Sequence, residues 1–452
     1  IGEVCVRARA ELGELTGDAL RDALVGALSA RATELVRLCE RRDETAAQRR
    51  DRRLDRLLTS RATGIPVMLA LFGTILWLTV EGANVPSQLL SRALFSAQEP
   101  LRELLTFLPP FWRGALVDGM YRTLAWVVSV MLPPMAIFFP LFTLLEDAGY
   151  LPRVAYNLDR PFQACRACGK QALTMCMGLG CNAAGVVGCR IIDSERERLL
   201  AVLTNSLVPC NGRFPALIAL MTMFFSLSGS TLTAALLLTA ALMLCVGLTF
   251  GATRLLSVTV LRGKPSAFAL ELPPYRAPQV GQVLVRSVFD RTLFVLGRAA
   301  AVAAPAGMAL WTLANVHPGG VSLLTRCAAA LDPLGRVMGM DGVLLLAFVL
   351  GFPANEIVLP IAVMGYLAQG SLSDALGLAQ MHALLTANGW TWTTAVSAVL
   401  FFLLHWPCST TLWTIRRETG SAKWTLLAAL LPTALGMALC AAFTALARLL
   451  GW

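Results

Sequence analysis

The sequence predicts an all-α, polytopic membrane protein, on the grounds of its composition and of its charge distribution. Hydrophobic residues make up 56% of the 452 positions and charged residues 15%, whereas ordinary soluble domains carry about 25% charged residues. The charges are densest in the first 63 residues, so the rest of the chain is more apolar than the average. That composition is typical of a protein that lies in a bilayer.

Residues 1–60 are predicted to form a cytoplasmic helical spacer, which is the end of a cytoplasmic domain. The stretch 3–47 is rich in Ala, Leu, Glu and Arg with helical spacing and has no proline, which favours amphipathic helices. A basic stretch at 49–56 stands just before the first apolar run, and basic residues beside a span favour the cytoplasmic side. Because the chain opens on Ile1, we expect that an upstream segment is missing.

The membrane region contains runs that are long enough to cross a bilayer, for which about 20 apolar residues are needed. These runs lie at 64–80, 123–145, 214–253, 299–325, 342–373, 375–415 and 424–447. The 214–253 run is too long for one span and contains a polar turn at 226–230, so it predicts two. We expect about eight membrane helices, in a first repeat over 61–260, a cytoplasmic loop over 261–290 and a second repeat over 291–452.

The two halves share a similar stretch. Placed over 408–428 without gaps, 181–201 pairs Cys181 with Cys408, Arg190 with Arg417 and Leu-Leu-Ala with Leu-Leu-Ala. A Pro-x6-Pro segment lies upstream in each half, at 133–140 and at 353–360. The charge clusters that follow both stretches are typical of the cytoplasmic side, which eight simple spans do not allow. We therefore expect a miscounted or re-entrant span, within 375–415.

Three segments interrupt the apolar runs with Gly, Pro or polar residues, at 176–190, 208–213 and 405–411. Polar backbone at membrane depth persists only where protein buries it or where it lines a watery cavity. Interrupted segments in both halves also indicate a transport site. Each break contains a cysteine beside Asn or Ser, namely Cys181, Cys210 and Cys408. Sulfur together with amide or carboxylate oxygen suits Fe²⁺ or Zn²⁺, so these three are candidate metal ligands.

Oxygen donors near the breaks are further candidates. Glu356 is an acid inside an apolar run and between two prolines, and an ionisable group at membrane depth indicates function. Asn355 stands beside it, and Asn182 and Asn211 follow two of the cysteines directly. We interpret these four side chains as candidate oxygen ligands for the same ion.

We expect the remaining cysteines to have structural roles. Twelve cysteines fall far below the density of a disulfide scaffold, so we expect free thiols. Cys245 and Cys440 lie within apolar runs and are interpreted as small hydrophobic residues. Cys165-x2-Cys168 has the spacing of metal ligands, but the adjacent basic residues disfavour a bound cation.

Dense charge clusters follow the broken segments, at 193–198 and 416–418. Arg190, Arg213, Arg417 and Glu418, in or near these clusters and breaks, are candidate gate and coupling residues on which a soluble domain acts. No Gly-x4-Gly-Lys-Ser/Thr motif occurs in the sequence, so nucleotide hydrolysis is not predicted for this chain. The basic residues adjoin apolar runs and form no stripe with aromatic residues, which disfavours a nucleic-acid partner.

The broken segments resemble the gate motifs of a known family. GLGCNAAGVVGCRIIDSERERLL followed by NSLVPCNGRFPALIAL is similar to the first gate motif of the ferrous iron transport protein B family (FeoB), and PCSTTLWTIRRETGSAKW is similar to the second. RRDRRLDRLLTSRATGIPVMLALFG resembles the family's junction between cytoplasmic helices and membrane. The resemblance extends from about residue 50 to the end of the chain. GFPANEIVLP resembles a variant branch of the family.

This resemblance implies an importer of Fe²⁺ in the bacterial inner membrane, with the N-terminus cytoplasmic. Fe²⁺ is then the substrate, and the family's gate cysteines fall on Cys181, Cys210 and Cys408. The implied partners are the bilayer, an N-terminal GTP-binding domain of the same polypeptide that carries GTP and Mg²⁺, a small cytoplasmic accessory protein and further copies in a homo-oligomer.

Other functions stay open at this point. A gate-type carrier for a nucleoside or another organic solute would depend on polar side chains and not on the cysteines. A transporter of another divalent metal would use the same ligands. An enzyme with a cysteine nucleophile would need His405 as its base, and a scaffold that only anchors a soluble domain would leave Glu356 unexplained.

Overall fold

The computed structural model describes residues 17–39, 46–225, 231–263, 275, 279–372 and 377–451. Every regular element in these ranges is a helix, which confirms the prediction of an all-α protein. The chain divides into two compact units, Ile1–Arg56 and Leu57–Trp452. The described helices that begin in the first unit are α1 (Gly17–Cys39) and α2 (Ala46–Leu58).

The second unit contains the apolar helices. In chain order, they are α3 (Arg61–Ser96), α4 (Gln98–Leu104), α5 (Pro110–Gly114), α6 (Arg122–Asp147), α7 (Leu151–Ala164), α8 (Lys170–Gly180), α9 (Asn182–Gly188), α10 (Glu195–Asn205), α11 (Phe214–Phe225), α12 (Thr231–Val258), α13 (Val280–Arg286), α14 (Phe294–Asn315), α15 (Leu323–Val337), α16 (Gly342–Leu350), α17 (Val358–Tyr366), α18 (Leu378–Ala387), α19 (Trp392–Leu404), α20 (Ser409–Thr419) and α21 (Ala422–Leu449). Two π-helical turns, Ala115–Tyr121 and Ser287–Leu293, precede α6 and α14.

The described ranges contain six helical segments that are long and apolar enough to cross a membrane. They are Ala62–Leu104, Pro110–Asp147, Leu236–Val258, Phe294–Asn315, Trp392–Thr419 and Ala422–Leu449. Helices α15 and α16 together form a seventh candidate, but they meet at a bend of 108°. The polytopic architecture is thus confirmed, with fewer uninterrupted spans than the eight expected. The predicted turn at 226–230 lies outside the described residues, as do positions 264–274 and 276–278 of the predicted loop at 261–290. The end of that loop is instead helical, from Val280 onward.

The first interrupted segment is a re-entrant hairpin. Helices α8 and α9 pack against each other, and the chain reverses at Cys181, whose backbone is extended. Lys170 at the start of the hairpin and Asp193 after its end form an ion pair of 2.7 Å. The hairpin therefore enters and leaves on one side, with Cys181 at its tip.

A second hairpin, α16–α17, turns at 351–357 in the same way. Its arms pack together, and the Tyr366 hydroxyl at its end donates to Asp341 Oδ2 at its start, at 2.6 Å. The run at 342–373, which the apolar pattern predicted to be a span, is therefore re-entrant. The expectation that the re-entrant element lies within 375–415 was wrong, because Trp392–Thr419 is long and apolar enough to cross.

Two broken helices stand beside the hairpins. Helices α10 and α11 follow each other along α12 and are interrupted at 206–213. Near the start of α10, Arg196 Nε donates to Leu261 O beyond the end of α12, at 2.7 Å. Helices α19 and α20 follow each other along α21 in the same manner and are interrupted at 405–408. Pro209 and Pro407 lie in these interruptions, where the lack of a backbone N–H prevents a continuous helix.

The element order repeats with a register that differs from the one read from the sequence. The same number of residues separates the two π-helical turns, the starts of α7 and α15, the starts of α8 and α16, and the interior prolines Pro133 and Pro305. At this spacing Cys181 falls on Pro353, one position before Ala354, which has the same extended backbone as Cys181. By element order alone, the Pro-Cys of Cys210 corresponds to that of Cys408. The expected pairing of Cys181 with Cys408 rested on local matches, since both residues precede a short helix after a break.

The two repeats run in opposite directions. Helices α6 and α14 pack together, and a Cβ at Gly307 in α14 would meet Gly119 O and Thr123 Oγ1 near the start of α6, each at 2.5 Å. Glu146 at the end of α6 lines a cavity together with Phe294 at the start of α14. Because the ends meet in reverse order, the two helices are antiparallel.

The close approach of these helices depends on glycine. We expect Gly307→Ala to destabilise the protein by about 1–3 kcal/mol, because the backbone carbonyl of Gly119 leaves no room for a methyl group. Thermal unfolding in detergent measures the change. Gly247→Ala in α12 is the matched control, because nothing lies within 4 Å of its Cβ position. A Gly307→Ala variant as stable as this control would contradict the packing argument.

Candidate functional site

The hairpin tips and the helix breaks meet in the middle of the second unit. Asn205 Nδ2, at the end of α10, donates to Asn182 O at the first tip, at 3.0 Å. At the second tip, Phe352 O accepts a hydrogen bond of 2.9 Å from Ser409 N, at the start of α20. We define the central site as residues 181–182, 205–213, 351–356 and 405–411.

The three predicted gate cysteines lie in this site. Cys181 and Cys210 are buried and Cys408 is half-buried, and their thiols lie within electrostatic range of one another. Glu356 lies within range of Cys210 and Cys408. Within the described ranges, no group of three or more His, Cys, Asp or Glu side chains is close enough to hold a metal ion. In this conformation the candidate ligands are neighbours and do not form a coordination sphere.

Glu356 faces a cavity of about 320 Å³. Asn211, Gly212 and Gly180 line the same cavity. A Cβ at residue 212 would lie 2.3 Å from Glu356 Oε1, so the glycine gives the carboxylate its room. The cavity therefore connects the acid of the second repeat with the first tip and the first break.

The predicted amide ligands hold the tips in place. Asn355 Nδ2 points to Cys210 Sγ at 3.8 Å, and Asn355 Oδ1 lies 3.2 Å from His405 Nε2. His405 Nδ1 faces the carbonyl oxygens of Phe401 and Phe402, at 3.0 and 3.1 Å. All three oxygens only accept, so a neutral ring donates either from Nδ1 to a carbonyl or from Nε2 to Asn355 Oδ1, and only the protonated ring donates to both sides. The Cys408 thiol instead contacts Thr411 Oγ1, at 3.3 Å.

Asn182 has a similar structural role at the first tip. With its Nδ2 turned toward them, its side chain donates to Val208 O at 3.2 Å and to Gly178 O at 3.1 Å. These bonds join the end of α8 to the first break. The Asn182 backbone oxygen, bound by Asn205, adds a third link.

Arg213 lies at the central site, fully buried. Its guanidinium donates to Leu403 O at 2.8 Å, to His405 O at 3.0 Å and to Trp406 O at 3.2 Å. The last carbonyls of a helix have no intrahelical partner, and the break leaves those at the end of α19 free. Arg213 thus ties the first break to the second and lies away from the charged clusters with which it was grouped.

Arg190 and Glu418 connect the two repeats on one side of the unit. Arg190 Nε and Nη2 donate to the two Glu418 carboxylate oxygens, each at 2.7 Å. Arg417 is exposed beside this pair. We define the arginine side as the side on which Arg190, Arg298 and Arg417 lie. The clusters after Cys181 and after Cys408 are therefore on the same side, as their charge indicated.

Cys165 and Cys168 lie between α7 and α8, outside the candidate spans. Burial and the neighbouring Glu197 raise the pKa of Cys168 to about 12. This thiol stays protonated at neutral pH and contacts the carboxylate of Glu197. Cys245 and Cys440 are also buried, as expected of small hydrophobic residues.

The sequence reasoning missed one polar residue and one glycine at the centre. Asn205 is buried in the first hairpin, between Gly178 and Gly185, and Gly212 gives room to Glu356. The rule that selected Glu356, a polar side chain inside an apolar run, would also have selected Asn205. Several buried polar atoms of the site have no hydrogen-bond partner, namely Asn205 Oδ1, Ser206 Oγ, Arg213 Nε and Thr410 Oγ1.

Two inverted repeats, each with a re-entrant hairpin and a broken helix that meet at a polar centre, define a gate-type membrane transporter. Residues 128–225 and 296–422 match the family model described as Gate, nucleoside recognition. Residues 232–290 match the model described as ferrous iron transport protein B C terminus. Together with the relatives below, these matches support the assignment of the chain to the membrane portion of the ferrous iron transport protein B (FeoB) family.

Curated relatives carry the name Fe(2+) transporter FeoB. The protein of Staphylococcus aureus strain MSSA476 is 28% identical over 394 residues, which cover 84% of this chain and 56% of the relative. The protein of Methanocaldococcus jannaschii is 28% identical over 335 residues, 70% of this chain and 47% of the relative. The protein of Synechocystis sp. is 28% identical over 387 residues, which cover 84% of this chain and 60% of the relative. The chain spans about half the length of these relatives, and no solved structure matches it.

Proposed function

We propose that this chain is the membrane portion of a ferrous iron importer, in which Fe²⁺ passes the central site. The observation that carries the proposal is the proximity of Cys181, Cys210 and Cys408 to one another, and of Glu356 to Cys210 and Cys408, at helix breaks that lie far apart in the sequence. The names of the relatives support iron as the substrate. Selection of Fe²⁺ over Mn²⁺ or Zn²⁺ is not encoded in the ligand types, since the natural affinity order favours Zn²⁺.

The chemistry of the donors fits a borderline cation. Thiolates with amide and carboxylate oxygens bind Fe²⁺, and Glu356, Asn355, Asn182 and Asn211 supply the oxygens. Because these groups are neighbours without forming a coordination sphere in this conformation, we propose that a small movement of one repeat against the other completes the site. Opposed hairpins that enter from opposite sides suit alternating access.

We propose that the arginine side is cytoplasmic and that the membrane is the bacterial inner membrane. Basic residues cluster in the segments that surround the first hairpin base, as the positive-inside rule requires of cytoplasmic loops. The pair of Arg190 with Glu418 then holds the cytoplasmic side closed. A GTP-binding domain of the same polypeptide acts there, with GTP and Mg²⁺, and a small accessory protein and a homo-oligomer complete the assembly.

Anaerobic equilibrium binding of Fe²⁺ to the purified chain in detergent tests this proposal. We expect saturable binding that a Cys181→Ser, Cys210→Ser, Cys408→Ser triple variant weakens at least tenfold, because serine is a poor ligand for this ion. Cys440→Ser is the matched control, since Cys440 is buried in α21 and bonds Ser397 O at 3.4 Å. Unchanged binding by a folded triple variant would remove the cysteines from the site.

A nucleoside carrier is the second candidate, because the Gate model bears the description nucleoside recognition. The unsatisfied Asn205 Oδ1 and Thr410 Oγ1 could accept hydrogen bonds from such a solute. This reading predicts saturable binding of uridine to the same purified chain, insensitive to the triple cysteine change. Absence of uridine binding beside saturable Fe²⁺ binding would eliminate it.

A further inference from the structure

A cavity of about 460 Å³ lies on the arginine side, between the two repeats. Its walls come from α6, from the first hairpin, from α14 and from α20. It is separate from the central cavity beside Glu356, and neither the proposed path of the ion nor the cysteines use it. Its lining combines guanidinium groups with large apolar side chains.

The polar end of the cavity is positively charged. Arg190, Arg298 and Arg417 line it, with Glu146 and Glu418. The bidentate contact with Arg190 neutralises Glu418, so the two remaining arginines exceed the one remaining acid. A singly charged anion would balance the site.

Two of the arginines are poised to bind such an anion. Arg298 Nη1 donates to Thr414 Oγ1 at 3.1 Å, and the guanidinium carbon lies 4.0 Å from the centre of the Phe294 ring. Since only one N–H group is used in the bond to Thr414, further guanidinium donors are free. Arg417 forms no hydrogen bond or ion pair with any residue of the described ranges and lines the same cavity. A guanidinium presents a planar fork that fits phosphate oxygens.

The opposite end of the cavity is apolar and reaches into the depth of the membrane. Phe139 lies seven residues before Glu146 on α6, or about 10 Å deeper at the rise of an α-helix. Phe294, Val187 and Ile191 at the cavity are 51%, 40% and 39% exposed. Such an apolar surface does not stabilise a bound phosphate ion, whereas it stabilises an acyl chain that is buried against it.

We propose that this cavity binds an anionic phospholipid. Its phosphate accepts hydrogen bonds from Arg298 and Arg417, and an acyl chain lies along Phe139, Phe294 and Val187. Basic pockets between membrane helices are known to suit anionic headgroups. Since both repeats contribute walls, the lipid bridges them on the side where Arg190 pairs with Glu418. This inference does not depend on iron as the substrate.

Native mass spectrometry of the purified chain, titrated with phosphatidylglycerol or phosphatidylcholine, tests the proposal. We expect phosphatidylglycerol to bind preferentially, and Arg298→Gln with Arg417→Gln to weaken it at least tenfold, roughly the effect of one lost charge-assisted contact. Arg298→Lys with Arg417→Lys should retain most of the binding, because the charge remains. Arg92→Gln, an exposed residue on α3, is the matched control.

A competition with inorganic phosphate distinguishes the two sources of phosphate. If the lipid is the ligand, millimolar phosphate leaves bound phosphatidylglycerol in place. Displacement of the lipid by phosphate, or equal binding of both lipids, would overturn the proposal. Undiminished phosphatidylglycerol binding by the glutamine variant would overturn it too, and gel filtration with thermal unfolding establishes that this variant is folded.

Discussion

Replacing Arg213 with methionine is expected to destabilise the protein by about 3 kcal/mol or more. The carbonyls of Leu403, His405 and Trp406, at the end of α19 and in the break after it, would lose the donors of a fully buried side chain, and each unsatisfied buried group costs about 1–3 kcal/mol. Removal of the desolvated charge offsets part of this loss. The thermal midpoint of the chain in detergent measures the change.

Two further variants sharpen this experiment. Arg213→Lys keeps the charge but presents a compact ammonium in place of the planar fork, so it should be intermediate in stability. Arg92→Met, at an exposed position on α3, controls for the loss of an arginine. If Arg213→Met unfolds at the temperature of that control, the link between the two breaks contributes nothing to stability.

Glu356→Gln is expected to lower Fe²⁺ uptake at least tenfold at limiting iron, with little effect on stability. Glutamine has the shape of glutamate but no charge, and a carboxylate near a divalent ion interacts by several kcal/mol even at an effective dielectric constant of about 20. Uptake is assayed in cells that lack other iron uptake, with the chain joined to the GTP-binding domain proposed above. Glu81→Gln on α3, exposed in the structure, is the control.

Gly212→Ala tests whether the position of the carboxylate matters as well as its charge. The added methyl group would meet Glu356 Oε1 at 2.3 Å, and the flexible end of that side chain would move aside. We expect reduced uptake in a folded protein that still carries the acid. Normal uptake by both Glu356→Gln and Gly212→Ala would exclude Glu356 from the ion path.

The sequence was sufficient to locate the breaks, because their causes are local. Prolines 209 and 407 lack the backbone N–H of a helix interior, glycines flank Cys181, and a cysteine stands in each interruption. Proline alone is not a sufficient signal, since Pro133 and Pro305 lie inside continuous helices. The all-α membrane fold followed from apolar runs in the same way. The grouping of Cys181, Cys210, Cys408 and Glu356 around one ion was interpreted from their residue types and their positions in interrupted segments, and the family resemblance pointed to the same cysteines.

The direction of a segment was harder to predict. The two arms of the second hairpin read as one apolar run, because a helix that turns back within the membrane is as apolar as one that crosses it. The repeat register failed for a related reason. The alignment of the two halves was based on short matches such as Cys181 with Cys408. The equal spacing of Pro133 and Pro305 is recognised only once the order of the helices is known.

Arg213 shows what sequence cannot supply. A lone arginine after a broken segment is similar in sequence to Arg190 and Arg417, which lie on the surface. Its side chain instead points inward to carbonyls that lie 190 or more positions further along the chain. Side-chain direction at a break depends on the partner segment, and no local pattern encodes it.

The two hairpin bases are closed by different chemistry. Lys170 and Asp193 form an ion pair whose acid is 75% exposed, while Tyr366 is bonded both to Asp341 and to Trp390 Nε1, the latter at 2.8 Å. Dissolved salt screens an exposed ion pair but hardly affects half-buried hydrogen bonds. Rising salt therefore weakens the contact that closes the first hairpin base, on the arginine side, more than the hydrogen bonds of Tyr366 that close the second.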